Sequence, residues 1–540
     1  MTEPTAKRLR VDEAAEGTIV LTCGSGDMGQ MGHGDAHRSG RKPRRVDVGL
    51  SDSHGDIVQV VAGGLHSAVL YEDGAIYMCG SADHGCIPPL EESKEKQVDD
   101  DVDEFSQIYM DPKLVNEHGK PIALAAGAAF TAALTQRGSV LVWGYLHADE
   151  LLQGLPVLEE MQRGVAVLLH RNEFKHIVRI VAGDNHVVAI TDCGKVYSIG
   201  DSQHGQLGRL SGKRPQRRSV AFGNKTGHLI VNPPRVNSER SPKDRKSRRP
   251  CDVFATAFGT LIQVTTANND NYEVAVCGLN NYGQLGEPLT EEQPTENGSS
   301  PTNDTADTKK SVTPQPPSTA GQDSSNLQSA SVDDTQSSAP PSTVESQTSL
   351  PHPAKAPSRS PVPEQTGVAF LNPEPQAESK EARLMLQFAP MATYSGRATK
   401  WVQIVGDHHV VALDENGDVY TIGKNVEDRL GLGTAPGQWR SFELNRVKLP
   451  GRAVFISASN SCSTAVLENG DAYSWGSDPC GACGCGSDRD DCVVSTPEKV
   501  ISKHLEGLKI VQVSHGAQHA VFLARRAPPE PTSDGEPMDE

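Results

Sequence analysis

The chain has 540 residues, a formal net charge of −18 and an aromatic content of 5%. Such an acidic whole excludes indiscriminate nucleic-acid binding by the body of the protein, although not local basic patches. With no run of about eighteen apolar residues and no signal-peptide hydrophobic segment, neither a membrane span nor secretion is expected, and the 11 scattered cysteines read as reduced intracellular thiols rather than as a disulfide framework.

Residues 1–17 are polar and carry Lys7, Arg8 and Arg10 beside Pro4. This short basic tail suits a nuclear import signal, an arm for an acidic partner, or plain solvation. Residues 19–34, Ile-Val-Leu-Thr-Cys-Gly followed by Ser-Gly-Asp-Met-Gly-Gln-Met-Gly-His-Gly, then hold the second half of a unit whose first complete copy follows. That copy runs Val-Ala-Gly-Gly-Leu-His-Ser-Ala-Val-Leu (61–70), an acidic turn with Gly74, and Ile-Tyr-Met-Cys-Gly (76–80). Further copies lie at 126–144, 181–208, 257–286, 405–423 and 457–486. Each reads as alternating apolar runs joined by a Gly-bearing turn, with a Gly-Gln-Leu-Gly type loop in the best-preserved copies. Residues 511–524 supply only the first half of the unit.

Self-similarity at roughly fifty residues points to a propeller or an array. Complementary half-units at the two ends predict a closed ring, because an N-terminal strand that completes the C-terminal sheet removes two free edges at once. The expected fold is therefore all-β: a seven-bladed β-propeller over 18–286 and 384–527. Between the third and fourth copies, 210–250 is a basic loop containing Lys213, Arg214, Arg217 and Arg218, suited to a phosphate-rich or acidic partner or to simple solubility. The Ser/Pro/Thr-rich stretch 287–383 cannot bury enough apolar area to offset its ordering entropy and reads as a disordered insertion, as does the acidic tail 528–540. A monomer is expected.

Apparent chemical motifs mostly dissolve into the repeat. Gly24-Ser-Gly-Asp-Met-Gly29 fits the dinucleotide fingerprint, yet no helix pattern follows and later copies repeat the loop. Cys480, Cys483, Cys485 and Cys492 have zinc-like spacing but fall largely in the repeat's turn. No nucleophile with base and orienter and no paired carboxylates stand out, so no bond chemistry, cofactor or metal is expected. Histidines recur at one site of the unit, His66, His186, His409 and His519, with Phe130, Leu261 and Ser463 taken as their equivalents elsewhere. Either they satisfy groups within the blades or they face a partner. With Asp27, Asp184, Asp407 and His408 nearby they would make a polar, partly acidic rim.

The unit Ala-Gly-x-x-His-(Ser/Thr)-x-x-Leu, Gly-x-Val-Tyr-x-x-Gly and Gly-Gln-Leu-Gly resembles the regulator of chromosome condensation repeat family over about 19–286 and 398–526. The half-blade, basic loop and basic tail extend the resemblance to the family's founding member. The resemblance implies a nuclear, chromatin-bound guanine nucleotide exchange factor for the GTPase Ran, which makes no bonds itself and serves nucleocytoplasmic transport, mitosis and spindle assembly. It implies a GTPase-binding face using Asp27, His66, Asp184, Arg209, Asp407, His408, His409 and His519, and a wedge formed by Leu146, His147, Ala148, Asp149, Glu150, Leu151, Leu152 and Gln153. It further implies nucleosome contact, to histones and DNA, through Lys213, Arg214, Arg217 and Arg218, and an import receptor on Lys7, Arg8 and Arg10. The chain departs from the family pattern at Ala128-Ala-Phe130, at Asp184-Asn185 and at Gly283. A non-catalytic scaffold with the same repeats is the alternative.

Overall fold

A computed structural model describes residues 17–34, 38–94, 96–147, 156–170, 176–208, 249–265, 271–287, 384–433, 438–486 and 492–527. Within them the repeats form seven antiparallel sheets. Blade I pairs β3 (Ile57–Ala62), β4 (His66–Tyr71), β5 (Ile76–Gly80) and β6 (Val102–Gln107). Blade II holds β7 (Pro121–Ala126), β8 (Phe130–Thr135), β9 (Val140–Gly144) and β10 (Ala166–Leu169), and blade III holds β11 (Ile177–Gly183), β12 (His186–Thr191) and β13 (Val196–Gly200). Blade IV holds β14 (Arg249–Thr256), β15 (Gly259–Thr265), β16 (Tyr272–Leu279) and β17 (Leu384–Pro390). Blade V holds β18 (Trp401–Gly406), β19 (His409–Asp414), β20 (Val419–Lys424) and β21 (Arg440–Arg446), and blade VI holds β22 (Ala453–Ala458), β23 (Cys462–Leu467), β24 (Ala472–Ser477) and β25 (Val493–Lys499).

Blade VII is the composite that the half-units require. The C-terminal strands β26 (Leu508–His515) and β27 (His519–Arg526) are completed by β1 (Thr18–Ser25) and β2 (Ser39–Arg45), in the order β2-β1-β27-β26. Register runs unbroken from Thr18 opposite Arg525 to Gly24 opposite His519. The first strands of successive blades touch in sequence, and β26 returns to β3, so the circle closes. The seven-bladed ring expected from the repeat is the one observed. The tails and the stretch 288–383, expected to be disordered, lie outside the described residues.

Packing explains why the second strands are continuous apolar runs rather than alternating ones. Each sheet is sandwiched between two neighbours, so both faces are buried, and β4, β8, β12, β19 and β23 are buried at every residue. The core is accordingly divided into layers between blades. One layer joins Val61, Leu70 and Ile87 of the blade I segment to Leu124, Leu141 and Trp143 of blade II, and another joins Leu21 and Phe522 of blade VII to Val466 and Val500 of the blade VI segment. Side-chain amides bolt adjacent blades, from a first strand in three cases and from the second strand of blade IV in the other: Leu124 N–H donates to Gln59 Oε1 (2.7 Å), Ile456 N–H to Gln403 Oε1 (2.9 Å), Val60 N–H to Gln512 Oε1 (3.0 Å) and Trp401 N–H to Gln263 Oε1 (2.9 Å).

Candidate partner-binding face

The turn joining the first two strands of each blade and the loop leaving the third strand emerge at the same end of the ring. A repeated backbone bond ties them together: Ser81 N–H to Leu65 O, Tyr145 N–H to Ala129 O, Asp201 N–H to Asn185 O, Lys424 N–H to His408 O and Ser25 N–H to Gln518 O. The glycine ending the third strand makes this possible. Gly200 has φ +132, and a side chain there would strike the carbonyl of Asn185. Neighbouring first turns are also bonded head to tail, Ala517 N–H to Gly64 O, Gly64 to Ala128, Ala128 to Asp184, Asp184 to Ala257 and Ala257 to Gly406. The result is a fixed loop surface.

The sequence places His66, His409 and His519 among the contacts on that surface; the structure corrects this. All three, with His186, are fully buried. Each Nε2 reaches a hydroxyl in the next blade: His519 to Ser67 (2.8 Å), His66 to Thr131 (2.8 Å), His186 to Thr260 (3.0 Å) and His409 to Ser463 (2.8 Å). Ser67 and Thr260 donate their own protons to the carbonyls of Gln30 and Gln206, each at 2.7 Å, so His519 and His186 must donate from Nε2–H. The rings lie under Gly63, Gly183 and Gly516, where a Cβ would collide with them, and this explains the Gly-x-x-His spacing. Burial pushes the imidazoles down, His66 and His186 to about 4 and His409 and His519 to about 3. They are neutral rivets between blades. Strand register also shows that Gly259 and Cys462, rather than Leu261 and Ser463, are their equivalents in blades IV and VI.

Three other expected residues do meet. Asp184 and Asp407 stand on first turns of blades III and V, and the Asp407 carboxylate lies 2.9 Å from His408 Nδ1. Burial, then the charge of Asp407, pushes Asp184 up to about 6, with His408 opposing. Asp27 is exposed on the turn after β1, beside blade VI, where its charge reaches Cys480. Leu146, expected to open the wedge, is instead buried against Val157 and Met161 of the helix Pro156–Met161. His147 is partly exposed, 3.3 Å from the Tyr145 hydroxyl. The wedge residues Ala148, Asp149, Glu150, Leu151, Leu152 and Gln153, together with Arg209, Lys213, Arg214, Arg217, Arg218, Lys7, Arg8 and Arg10, lie outside the described residues.

Two further features join the expected ones. An aromatic line crosses the loop ends of blades III to V: His204 to Phe258 (4.9 Å between centroids), Phe258 to His408 (5.8 Å), His408 to Tyr282 (5.2 Å) and Tyr282 to Trp439 (6.3 Å). Lys424 lies over Tyr282 at 4.9 Å, and Arg440 over Trp439 and Phe442 at 4.3 and 4.4 Å. These rings belong to different repeats, so no local pattern announces them. The second feature is legible: Arg41-Lys-Pro-Arg-Arg45 forms β2, the edge strand of blade VII, with Lys42 and Arg45 exposed.

The model of the regulator of chromosome condensation (RCC1) repeat matches residues 19–70 and 469–523, and a second model of the same repeat matches 57–86 and 177–206. The regulator of chromosome condensation of Mus musculus is 26% identical over 97% of this chain and 95% of its own length. The human probable E3 ubiquitin-protein ligase HERC6 is 31% identical, but over 35% of this chain and 17% of its own length. Among solved structures, Prp20p of Saccharomyces cerevisiae, described with its binding to Gsp1p and histones, shares the fold with a TM-score of 0.63 at 17% identity, over 96% of this chain and 94% of that one. The chain therefore carries RCC1 repeats in a seven-bladed propeller and is homologous, over nearly its whole length, to the regulators of chromosome condensation.

Proposed function

We propose that this protein is a guanine nucleotide exchange factor for the GTPase Ran that acts on chromatin in the nucleus. The observation that carries the reading is homology spanning nearly the whole length of both this chain and the regulators of chromosome condensation, rather than an isolated run of repeats. Prp20p, of the same fold, binds Gsp1p and histones. The loop face suits such a role: a rigid platform with a carboxylate pair and an aromatic line presents charge and apolar area together. An exchange factor needs no bond chemistry. It prefers the nucleotide-free GTPase, and reciprocity then lets incoming nucleotide expel it. Accelerating release by about a millionfold takes about 8 kcal/mol at the rate-limiting step.

Catalytic amounts of the protein are expected to accelerate release of labelled GDP from Ran, and Asp27→Ala combined with His408→Ala to slow that release without changing the urea midpoint. Release at the uncatalysed rate would instead leave a binding scaffold, a reading favoured by the repeats shared with a ubiquitin ligase and by the uncharged Ala128-Ala129 turn on blade II. For chromatin, the basic loop residues Lys213, Arg214, Arg217 and Arg218 and the β2 edge are the proposed contacts, and the basic tail is the proposed import signal.

A further inference from the structure

The strands' other ends carry a separate cluster. The link from blade I to blade II folds into a short helix, α1 (Pro112–His118), and returns to β7 at the end remote from the loop ring. Its last two residues, Glu117 and His118, stand beside His170, which directly follows β10 on the edge of blade II. One donor atom from each lies within 4.8 Å of the other two. His170 Nε2 is 3.0 Å from Glu117 Oε1, and the two imidazoles meet edge to face with centroids 4.7 Å apart.

Two imidazole nitrogens and one carboxylate oxygen are the donor set that zinc takes in sites keeping one open position. We propose that Glu117, His118 and His170 bind a single zinc ion, with water as the fourth ligand, fastening α1 to the outer strand of blade II. The reading departs from the sequence, which gives no metal-ligand spacing here because the donors come from two segments. Zinc bonds of about 2.0–2.1 Å place tetrahedral ligands about 3.3 Å apart, close to the observed His170–Glu117 separation, and the widest pair needs to close by at most about 1.5 Å.

The surroundings suit the ion. His118 is buried, and its Nδ1 lies 3.0 Å from Ser139 Oγ, which fixes the ring and leaves Nε2 as the donor nitrogen. Arg137 donates to the backbone carbonyls of Asn116 (2.7 Å) and Glu117 (3.1 Å), which holds the end of α1 in place. A site with one carboxylate and two nitrogens does not suit calcium or magnesium, which require mainly oxygen ligands.

The test is titration of the untagged full chain with Co²⁺, followed by its visible d–d bands, and then displacement by Zn²⁺. One equivalent is expected, with tetrahedral bands and no thiolate charge-transfer band, and affinity falling at least about tenfold in Glu117→Gln and in His170→Ala. Both side chains reach solvent, so the urea midpoint of the metal-free variants checks that the ring is intact. Uptake equal to wild type in the double variant, or no uptake by wild type, would overturn the proposal and leave an imidazole–carboxylate hydrogen bond.

Discussion

His519 and Ser67 join the last repeat to the first: Nε2 of the histidine lies 2.8 Å from the serine Oγ, which passes its own proton to the carbonyl of Gln30 on the N-terminal segment. The same logic governs the whole ring. Where a blade has histidine at this site, the next blade has a hydroxyl one residue past the equivalent position, in Ser67, Thr131, Thr260 and Ser463. Where it has Phe130, Gly259 or Cys462, the next blade has Val187, Val410 or Ala520. At this site an imidazole Nε2 always meets a hydroxyl, and a residue with no imidazole always meets an apolar side chain, so no Nε2 is buried without a partner.

Ser67→Ala should therefore strand a buried N–H and destabilise the ring by about 1–3 kcal/mol. The pair His519→Phe with Ser67→Val recreates the Phe130–Val187 solution, and it should recover much of that loss. Urea unfolding of the two single variants and the double variant measures the coupling. Strictly additive losses would show that the two residues do not act as a unit.

The four neutral histidines also set the response to acid. Their folded pKa values, about 3 to 4, lie below the unfolded value near 6.5, so the unfolded chain binds more protons through that window. Their contribution is complete above about pH 6.5 and is lost as pH falls, by about 2 kcal/mol per histidine at pH 5. Asp184 and Asp478, raised to about 6 mainly by burial, act in the opposite sense between their unfolded value and pH 6, and they offset part of the loss. Four groups outweigh two. Denaturant midpoints should fall steeply from pH 6.5 to pH 4.5, and His66→Phe with Thr131→Val should flatten that slope by about one proton. An unchanged slope would mean that His66 titrates normally.

On the loop face, Asp407→Asn removes the charge that, after burial, raises the Asp184 pKa to about 6. The Asp184 carboxyl should then titrate lower, observable by carbon-detected NMR. Tyr282→Ala and Trp439→Ala should weaken capture of the nucleotide-free GTPase, since both rings belong to the aromatic line and Tyr282 also stacks with Lys424. Removing an aromatic anchor at the centre of an interface typically costs 2 kcal/mol or more, or roughly thirtyfold in affinity. Equal capture by all variants would move the contact elsewhere on the ring.

The ring itself is legible because it is periodic. Complementary half-units state the closure, and the glycine ending Val-Tyr-Ser-Ile-Gly states the turn that aligns the loop face. Histidine recurrence was legible as a pattern but not as a direction. One repeat cannot show that its imidazole points into the neighbouring blade, and only the register of β15 and β23 with their partner strands reveals which residues replace it. The aromatic line and the Glu117–His118–His170 cluster were invisible for a related reason: each is assembled from segments far apart in the chain, and sequence spacing carries no information about such meetings.

The β2 edge offers a separate test of chromatin contact. Lys42 and Arg45 are exposed, and Arg45 pairs with a single exposed carboxylate, Asp47, at 3.2 Å, a link that a phosphate can displace. Changing both to Gln should reduce DNA and nucleosome binding and lower the slope of log K against log salt by about 0.9 for each phosphate contact removed. Stimulated GDP release from free Ran should be unaffected, because β2 lies at the blade's outer edge while the carboxylate pair sits on the first turns of blades III and V. A loss of affinity with no change in salt slope would mean that these side chains shape the edge without touching phosphate. An unchanged affinity would assign retention to the basic loop alone.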